Sequence, residues 1–388
     1  MNIIVYTFPF RGHSIQAILI ANYLSEKGHR VVVDANPDYF KYISPTVKIN
    51  ECLYTYLKVS DDRKKNSILD CAEGVLVTTK KYIEQFHEKA DLILFDSQAY
   101  WGKYISRKYD IPSASLMTIQ PFTMAHFERF AYGYLRNYTC RYASAKDFFR
   151  SIYIYQHVAK KKFDLPDDFL FSDIICASGT INVVLLPRSF CRFSKEFGVS
   201  YRAFSPITDW LDAIPQKDGS IYIATGSMIC DLELLISCID ALLPYNKEIH
   251  VSSGEYTRQL ENKYHQRRNI RFYTFAPQKD LLKRASVFIT HGGSNSICES
   301  VAARTPMIVI PLVNDEFLNA EMVYISRIGL MIGNNPETIK ENLGKLYETL
   351  SENDIYVKNI NEMAEQIDSD RVWNTIDEFI KEGTHGSV

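Results

Sequence analysis

Along the first forty residues, short continuous runs of apolar residues flank a segment in which apolar residues recur at the spacing of a helix. Residues 3–8 are a near-continuous apolar run, which is typical of a strand buried on both faces. Apolar residues then recur over 15–24 at the spacing of a helix, and Gly28 stands where a helix C-cap glycine belongs. Residues 31–33 read as the next strand. This pattern predicts a βαβ unit with parallel strands.

The same alternation continues through the first half of the chain. Buried strands are predicted at 92–95, ending at Asp96, and at 113–119. The run 182–186 is predicted as the last strand of this half, and 127–163 as helical and rich in aromatic residues. We therefore expect a first doubly wound domain over residues 1–204.

A polar, proline-containing stretch at 205–219 predicts a linker, after which the alternation restarts. Strands are predicted at 221–224, 248–251, 270–272, 287–290 and 307–310, with helices at 232–243 and near 296–303. This predicts a second doubly wound domain over 220–354. The amphipathic segment 355–381 predicts a helix, and we expect 355–388 to pack back on the first domain.

Composition limits the classes of protein to which this chain can belong. A chain of 388 residues with 46% apolar and 23% charged residues is an ordinary globular protein of two domains. The net charge of -2 gives no reason to expect a nucleic-acid partner. The eight cysteines lack metal-site spacing, which favours reduced thiols. With no leader-like segment and no apolar run of 18 residues, we expect a cytoplasmic protein. The pattern specifies no oligomeric state.

Several common site motifs are absent. The chain has no G-x-x-x-x-G-K-[ST], no G-x-G-x-x-G after the first strand and no G-x-S-x-G. These absences weigh against a P-loop NTPase, a dinucleotide oxidoreductase and an α/β-hydrolase. The triplet 368–370 has the form D-x-D that holds a metal in other proteins, but it lies in the terminal helix, where a solvated face is the better interpretation.

One stretch carries specific chemistry. A buried strand ends at Thr290, a Gly-Gly turn follows, and a helix is predicted to begin near 294–295. Free N–H groups at a helix N-terminus after a parallel strand form a phosphate site. His291 adds a donor, and Glu299 can accept from two adjacent hydroxyls, as a ribose offers. A plain tight turn is the alternative, but it does not account for the Pro-Gln at 277–278 or the Asp-Glu at 315–316.

This stretch resembles the donor-binding signature of the UDP-glycosyltransferase superfamily, which includes plant natural-product and bacterial macrolide glycosyltransferases. The resemblance implies the GT-B fold: α/β, with two Rossmann-like doubly wound parallel-sheet domains facing a central cleft. The donor sugar nucleotide is then bound by the C-terminal domain and the acceptor by the N-terminal domain. No cofactor is implied, since the nucleotide sugar is a co-substrate.

The resemblance also assigns donor roles residue by residue. It implies uracil stacking by an aromatic ring, contact beside the base, diphosphate binding, ribose binding and reading of the sugar hydroxyls. Phe275 matches the residue that stacks on the uracil, Gln278 the one beside the base, and Glu299 the ribose binder. Asp315 and Glu316 match the pair that reads the sugar hydroxyls. The positions that match diphosphate binders are Ser227, His291, Gly293, Asn295 and Ser296. The family more often has Trp at position 275 and Gln at position 316. Glu316, as an acceptor without a donor, puts the usual glucose preference in question.

His13 and Asp96 match the family's catalytic histidine and the aspartate that orients it. A loop histidine of no consequence is the alternative for His13 alone. As a pair at the carboxyl ends of two parallel strands, they predict a general base and its support. A helix N-terminus would keep His13 neutral, and the helix after Gly293 would stabilise the leaving diphosphate without a metal. Direct attack by the acceptor hydroxyl inverts the anomeric carbon.

The predicted function is metal-independent, inverting transfer from a UDP-sugar to a hydroxyl of a small, hydrophobic or natural-product acceptor. UDP is favoured over dTDP because Glu299 suits a ribose with both hydroxyls. A membrane-surface lipid glycosyltransferase is a competing hypothesis, suggested by the eight Lys or Arg and one acid within 129–162. A solvated face over an aromatic core is the favoured interpretation of that segment. The same fold and nucleotide site would also suit a sugar-nucleotide epimerase or an inactive nucleotide-sugar-binding module.

Overall fold

The computed structural model describes residues 1–54, 68–87, 89–126, 145–208, 215–226, 231–313 and 315–385. The chain divides into two compact units. The first contains Met1–Leu185, Phe193–Phe204 and Asp370–Val388, and the second contains Leu186–Arg192 and Ser205–Ser369. The expected fold class, two α/β domains with parallel sheets of Rossmann type, is confirmed.

The described residues of the first unit form one parallel sheet. Its strands are β1 (Asn2–Tyr6), β2 (Arg30–Ala35), β3 (Lys48–Glu51), β4 (Leu92–Asp96), β5 (Ser113–Met117), β6 (Ile181–Val184) and β7 (Tyr201–Arg202). They lie in the order β3-β2-β1-β4-β5-β6-β7. The helices of this unit are α1 (Arg11–Glu26), α2 (Ile68–Gln85), α3 (Tyr100–Lys108), α4 (Ala145–Lys162) and α5 (Ser172–Ile175). A short 3-10 turn lies at Pro37–Tyr42. Another, at Arg188–Phe190, belongs to the second unit.

The described residues of the second unit form a sheet of six parallel strands. These are β8 (Ile221–Ala224), β9 (Ile249–Ser252), β10 (Ile270–Tyr273), β11 (Val287–Thr290), β12 (Met307–Val309) and β13 (Gly329–Met331), in the order β10-β9-β8-β11-β12-β13. The helices are α6 (Leu232–Leu242), α7 (Thr257–Lys263), α8 (Gln278–Arg284), α9 (Ser294–Ala302), α10 (Glu316–Ile325), α11 (Pro336–Glu352) and α12 (Asp354–Ala364). Short 3-10 turns lie at Leu243–Tyr245 and Gly254–Tyr256.

Both sheets reverse their strand order at one place, between β1 and β4 in the first unit and between β8 and β11 in the second. Loops at the carboxyl ends of strands on either side of such a switch point diverge and leave a crevice, which is where open α/β sheets bind ligands. The strands beside the switch points are almost wholly buried, as their apolar runs predicted. Each unit therefore offers one topologically favoured site.

The C-terminal segment differs from the single helix predicted from residue 355. It forms α12 and a separate helix, α13 (Ser369–His385). The break coincides with two hydrogen bonds that hold the chain between the helices: the Asp368 N–H donates to Ser205 Oγ, and the Thr208 N–H donates to Ser369 Oγ. As a result, α12 lies in the second unit, which extends through Ser369 rather than ending at 354.

Helix α13, from Asp370 onward, belongs to the first unit and packs against α1. The Trp373 ring stacks on Tyr23 with centroids 4.6 Å apart, and the Tyr23 hydroxyl donates to Asp377 at 2.8 Å. Burial raises the pKa of Tyr23, which keeps this hydroxyl a donor. The Arg202 guanidinium adds a contact to Glu382.

Three further differences concern short strands. The run 182–186 is not the last strand of its half, because the two-residue β7 pairs with β6. Neither β3 nor β13 was predicted, because β3 carries mostly exposed polar residues and β13 has three residues.

Of the predicted helical stretch 127–163, residues 127–144 lie outside the described residues and 145–162 form α4. Along the described ranges, no helix has both the length and the apolar character needed to cross a bilayer.

Candidate functional site

His13 lies in the first turn of α1, directly after β1 and beside the switch point of the first sheet. The helix begins at Arg11, and the Ser14 hydroxyl donates to the Phe8 carbonyl, which fixes the turn between strand and helix. The His13 side chain is 16% exposed and that of Asp96 is 0% exposed. The structure thus brings together the two residues that the sequence paired, with the carboxylate beneath the ring.

The contact is direct: Asp96 Oδ2 lies 2.9 Å from His13 Nδ1. The second carboxylate oxygen, Oδ1, accepts the Gln98 N–H at 2.9 Å. When Nδ1 carries the proton and donates to Asp96, the lone pair that can accept a proton is on Nε2. The pair is therefore arranged as a general base and the group that selects its tautomer.

Thr118 completes this cluster and was missed by sequence reasoning. Its hydroxyl donates to Asp96 Oδ2 at 3.0 Å, and Oγ1 lies 2.8 Å from His13 Nδ1. Thr118 follows β5, which pairs with β4, so the three residues lie at or beyond the carboxyl ends of three neighbouring strands. The signal was available, since the carboxyl ends of adjacent parallel strands meet at one edge of a sheet.

Aromatic rings surround His13 on the side of β1. Phe8 and Phe10 present their edges to the imidazole, with centroids 5.5 and 6.4 Å from it. Phe8 also packs on Trp101 at 6.1 Å, and Tyr54 stacks on Trp101 at 5.9 Å. Phe8 and Trp101 are buried, whereas Phe10 and Tyr54 are partly exposed and can contact a planar or hydrophobic ligand.

In the second unit the predicted glycine turn lies at the end of β11. Gly292 has a φ of +91°, and a Cβ there would lie 2.6 Å from Val309 Cγ1. A Cβ on Gly293 would lie 2.6 Å from His291 Nε2. Helix α9 then begins at Ser294, and its N-cap residue, Gly293, supplies no side-chain cap, so the N-terminal turn of the helix faces the glycine turn. Asn295 and Ser296 contribute backbone to this first turn.

Asn319 braces this turn from α10. Its side-chain amide, buried at 0% exposure, donates to the Gly292 carbonyl at 2.9 Å, to Ser294 Oγ at 3.1 Å and to Asp315 Oδ2 at 3.2 Å. The Ser294 hydroxyl also donates to Asp315 at 3.2 Å. These hydrogen bonds hold Asp315 beside the glycine turn at the end of β11. No role for Asn319 was predicted, because a helix asparagine carries no sequence signal of its tertiary partners.

His291 and Glu316 face each other beside the turn, with Nε2 and Oε1 3.9 Å apart. Burial lowers the pKa of His291 to about 4, so its ring is neutral near pH 7. A hydrogen bond with the Ala224 backbone opposes this effect without reversing it. A neutral imidazole offers one N–H donor.

Glu316 is 8% exposed and is thus not directed to solvent. Its Oε2 accepts the N–H groups of Leu312 and Val313 at 2.7 and 2.8 Å. Burial raises the pKa of Glu316 to about 8. At pH 7 the carboxyl therefore holds a proton and can donate, which removes the premise that this position is an acceptor alone.

Gln278 and Glu299 form the part of the site predicted to hold the nucleoside. The Gln278 amide Nε2 donates to Glu299 Oε2 at 2.6 Å and to Ser296 Oγ at 3.4 Å. Phe275 is 69% exposed, as an aromatic platform for a base would be. Contacts thus join Gln278 to Ser296 and Glu299, and His291 to Glu316, while Ser227 lies outside the described residues.

No three His, Cys, Asp or Glu side chains are grouped to hold a metal ion in the parts of the chain that the structure describes. The six described cysteines are free thiols, and four of them are buried: Cys176, Cys191, Cys238 and Cys298.

Two doubly wound parallel-sheet units, the second with a glycine turn and helix N-terminus at its switch point, are the arrangement expected of a nucleotide-sugar glycosyltransferase of the GT-B type. Comparisons with known proteins agree. The model of the family "UDP-glucoronosyl and UDP-glucosyl transferase" matches residues 215–380. The chain is 25% identical over 418 residues to "Uncharacterized UDP-glucosyltransferase YojK" of Bacillus subtilis (strain 168), covering 100% of this chain and 99% of that protein.

Solved structures show the same fold. The glycotransferase of kitacinnamycin superposes with a TM-score of 0.75 at 18% identity, covering 97% of this chain and 98% of the other. CalG4, the calicheamicin glycosyltransferase, gives 0.70 at 16% identity and covers 98% of both chains. The predicted resemblance to the UDP-glycosyltransferase family is confirmed, and the chain is a glycosyltransferase enzyme.

Proposed function

We propose that this enzyme transfers a sugar from a UDP-sugar to a hydroxyl of a small natural-product acceptor, with inversion and without a metal ion. The observation that carries the proposal is the contact of His13 Nδ1 with Asp96 Oδ2 at 2.9 Å, at the switch point of the first sheet. The names of the structural neighbours support the acceptor class, since they are glycosyltransferases of kitacinnamycin and calicheamicin.

The first unit supplies the base in this proposal. His13 Nε2 takes the proton of the acceptor hydroxyl as its oxygen forms a bond to the anomeric carbon of the sugar. Asp96, with the Thr118 hydroxyl, holds the ring and stabilises the imidazolium that forms. The aromatic residues beside His13 hold the apolar body of the acceptor.

The second unit supplies the nucleotide site. The ring of Phe275 carries the uracil, Glu299 accepts the ribose hydroxyls, and the first turn of α9 receives the diphosphate. As the bond from the anomeric carbon to the diphosphate oxygen breaks, its electron pair goes to that oxygen. The N–H groups of α9 and one N–H of His291 stabilise the added charge. A single displacement of this kind converts an α-linked donor into a β-glycoside.

The sugar is read by Asp315 and Glu316 in this proposal. Asp315 accepts from sugar hydroxyls while it is held by Ser294 and Asn319. Glu316, protonated near pH 7, can donate as the amide of a glutamine would. This arrangement favours a neutral hexose over the amino sugar that two ionised carboxylates would attract.

Product analysis tests the proposal. Thermal-shift screening with UDP-, dTDP- and GDP-sugars identifies the donor, and profiling of phenolic and macrolide acceptors follows. A β-glycoside from an α-linked donor is the expected product, read from the anomeric coupling constant by NMR. An α-glycoside would overturn the inverting mechanism, and an epimerised sugar nucleotide formed without acceptor would establish an epimerase instead.

A further inference from the structure

A chain of hydrogen bonds leads from the core of the second sheet to Glu299. It begins at Tyr222 on β8, whose side chain is 1% exposed. The Tyr222 hydroxyl donates to Gln278 Oε1 at 3.1 Å, and Gln278 Nε2 donates to Glu299 Oε2 at 2.6 Å. A buried tyrosine is thus linked, through one amide, to the carboxylate assigned to the ribose.

The direction of this chain is set by its chemistry. A carboxylate oxygen only accepts, so the Gln278 amide must turn its NH₂ group toward Glu299 and its carbonyl toward Tyr222. The Tyr222 hydroxyl therefore donates to the Gln278 carbonyl, while the Ser252 side chain hydrogen-bonds the phenol oxygen and lowers its pKa, as a donor does. Burial raises the pKa of Tyr222 far above its ordinary value, so the hydroxyl remains a donor at any working pH.

The Tyr222 ring is held independently of its hydroxyl. It stacks on Phe288 of the neighbouring strand β11, with centroids 5.0 Å apart and planes 7° apart. Tyr222→Phe therefore removes one donor and leaves the ring in place. Without that donor, Gln278 Oε1 loses its partner, and the amide is held at one end only, by its contacts with Glu299 and Ser296. The Gln278–Glu299 pair can then shift from the position at which Glu299 is held in the intact chain.

We propose that Tyr222 is a positioning residue for ribose recognition, since its hydroxyl fixes the Gln278 amide and thereby aims Glu299 at the ribose diol. The inference rests on the proposed function, because it takes a uridine nucleotide as the ligand of this unit. It adds a residue from inside the sheet to the determinants of nucleotide choice and accounts for a buried polar group that the transfer chemistry does not use.

The test compares UDP with 2′-deoxyuridine 5′-diphosphate by calorimetry on the full-length protein. In Tyr222→Phe, the Kd for UDP should rise roughly 3–10-fold, the effect of one lost hydrogen bond, while that for the deoxy nucleotide changes less than about twofold. The preference for ribose should therefore fall. In turnover assays, KM for the UDP-sugar should rise with kcat within about twofold.

Two controls separate positioning from a general structural effect. Tyr264→Phe removes another buried hydroxyl of this unit, which donates to Asp240 at 2.7 Å, and should leave the ribose preference unchanged. In a Gln278→Met background, Tyr222→Phe should change neither Kd, because the intermediate amide is gone.

The outcomes are distinct. Equal weakening of both nucleotides, or an unchanged preference for ribose, overturns the role of Tyr222 and leaves the proposed function standing. Additive effects of Tyr222→Phe and Gln278→Met overturn it as well. If the wild-type protein binds no UDP, the proposed function itself fails, and the inference falls with it.

Discussion

Asp96 Oδ2 lies 2.9 Å from His13 Nδ1, and the Thr118 hydroxyl contacts both groups. The contact decides which nitrogen of the ring can act as a base. It also joins residues 83 positions apart in the chain, through two neighbouring parallel strands. Substitutions in this cluster should therefore change the chemical step more than nucleotide binding.

His13→Ala should lower kcat by roughly 10²–10⁴-fold, because the acceptor hydroxyl loses its general base. The Kd for UDP, measured by calorimetry, should stay within about twofold. Thr118→Val keeps the shape of the side chain and should give a smaller loss. Full turnover by His13→Ala would remove this residue from the mechanism.

Metal independence is tested by chelation. Saturating EDTA should leave the initial rate unchanged, because in this mechanism the N-terminal turn of α9 stabilises the diphosphate. The rate is measured with chelator, then with Mg²⁺ or Mn²⁺ in excess. Activity lost to EDTA and restored by either ion would contradict the mechanism.

Glu316 should make stability depend on pH. Its pKa is raised from 4.5 to about 8, so the protonated form contributes stability that is fully present below about pH 4.5 and is lost as the pH rises through about 8. Glu316→Gln does not titrate. Its Tm relative to wild type should therefore increase between pH 5 and pH 9, by roughly 5 °C. Glu341→Gln, at an exposed position of α11, is the matched control and should show no such trend.

The same variant tests the reading of the sugar. If Glu316 contacts the hexose, Glu316→Gln should change the ratio of kcat/KM between competing UDP-sugars while UDP itself binds as before. The change should be larger at pH 9 than at pH 6, because the wild-type carboxyl loses its proton between these values. An equal response of all donors at both pH values would show that Glu316 has no role in donor choice.

Lys217 joins the C-terminal ends of α8 and α9, the two helices whose N-terminal ends lie in the proposed donor site. Its ammonium donates to the Leu282 carbonyl in α8, the Ala303 carbonyl after α9 and Thr305 Oγ1, at 2.8, 2.8 and 2.6 Å. Lys217→Met removes three hydrogen bonds, although Thr305 Oγ1 still donates to the Leu282 and Ala303 carbonyls, and should cost about 2 kcal/mol of unfolding free energy. Urea denaturation measures this loss. Lys340→Met, at an exposed position of α11, should be neutral, and a neutral Lys217→Met would refute the role of the ammonium.

Vesicle binding tests the membrane-surface hypothesis. The described part of that segment, α4, exposes Ile154 and Val158 on the same side as Lys161. We expect no partition onto anionic vesicles in sedimentation at 0.15 M salt, because two aliphatic side chains bury little area. Partition onto phosphatidylserine but not phosphatidylcholine vesicles, abolished by Lys161→Glu, would instead support a lipid-glycosylating enzyme.

The sequence predicted the buried strands well because a strand covered on both faces needs an unbroken apolar run. Strand β11 and strand β8 were placed with their observed ends. Short edge strands such as β3 have no such run and were missed. In the site, the glycine turn and the His13–Asp96 pair were predictable from motif and topology. Thr118, Asn319 and Tyr222 were not assigned roles, because side-chain partners set by tertiary packing leave no mark on the local pattern.

The return of residues 370–388 to the first unit affects how the protein is made. A ribosome delivers the N-terminal residues first, and they begin to fold before the remainder exists. The face of α1 that carries Tyr23 waits for Trp373 until the second unit has been synthesised. Until then the Tyr23 ring of the nascent first unit lacks the Trp373 ring that stacks on it, and α13 covers it when it is made. Assembly of the two units is therefore interleaved in time, although each has its own sheet.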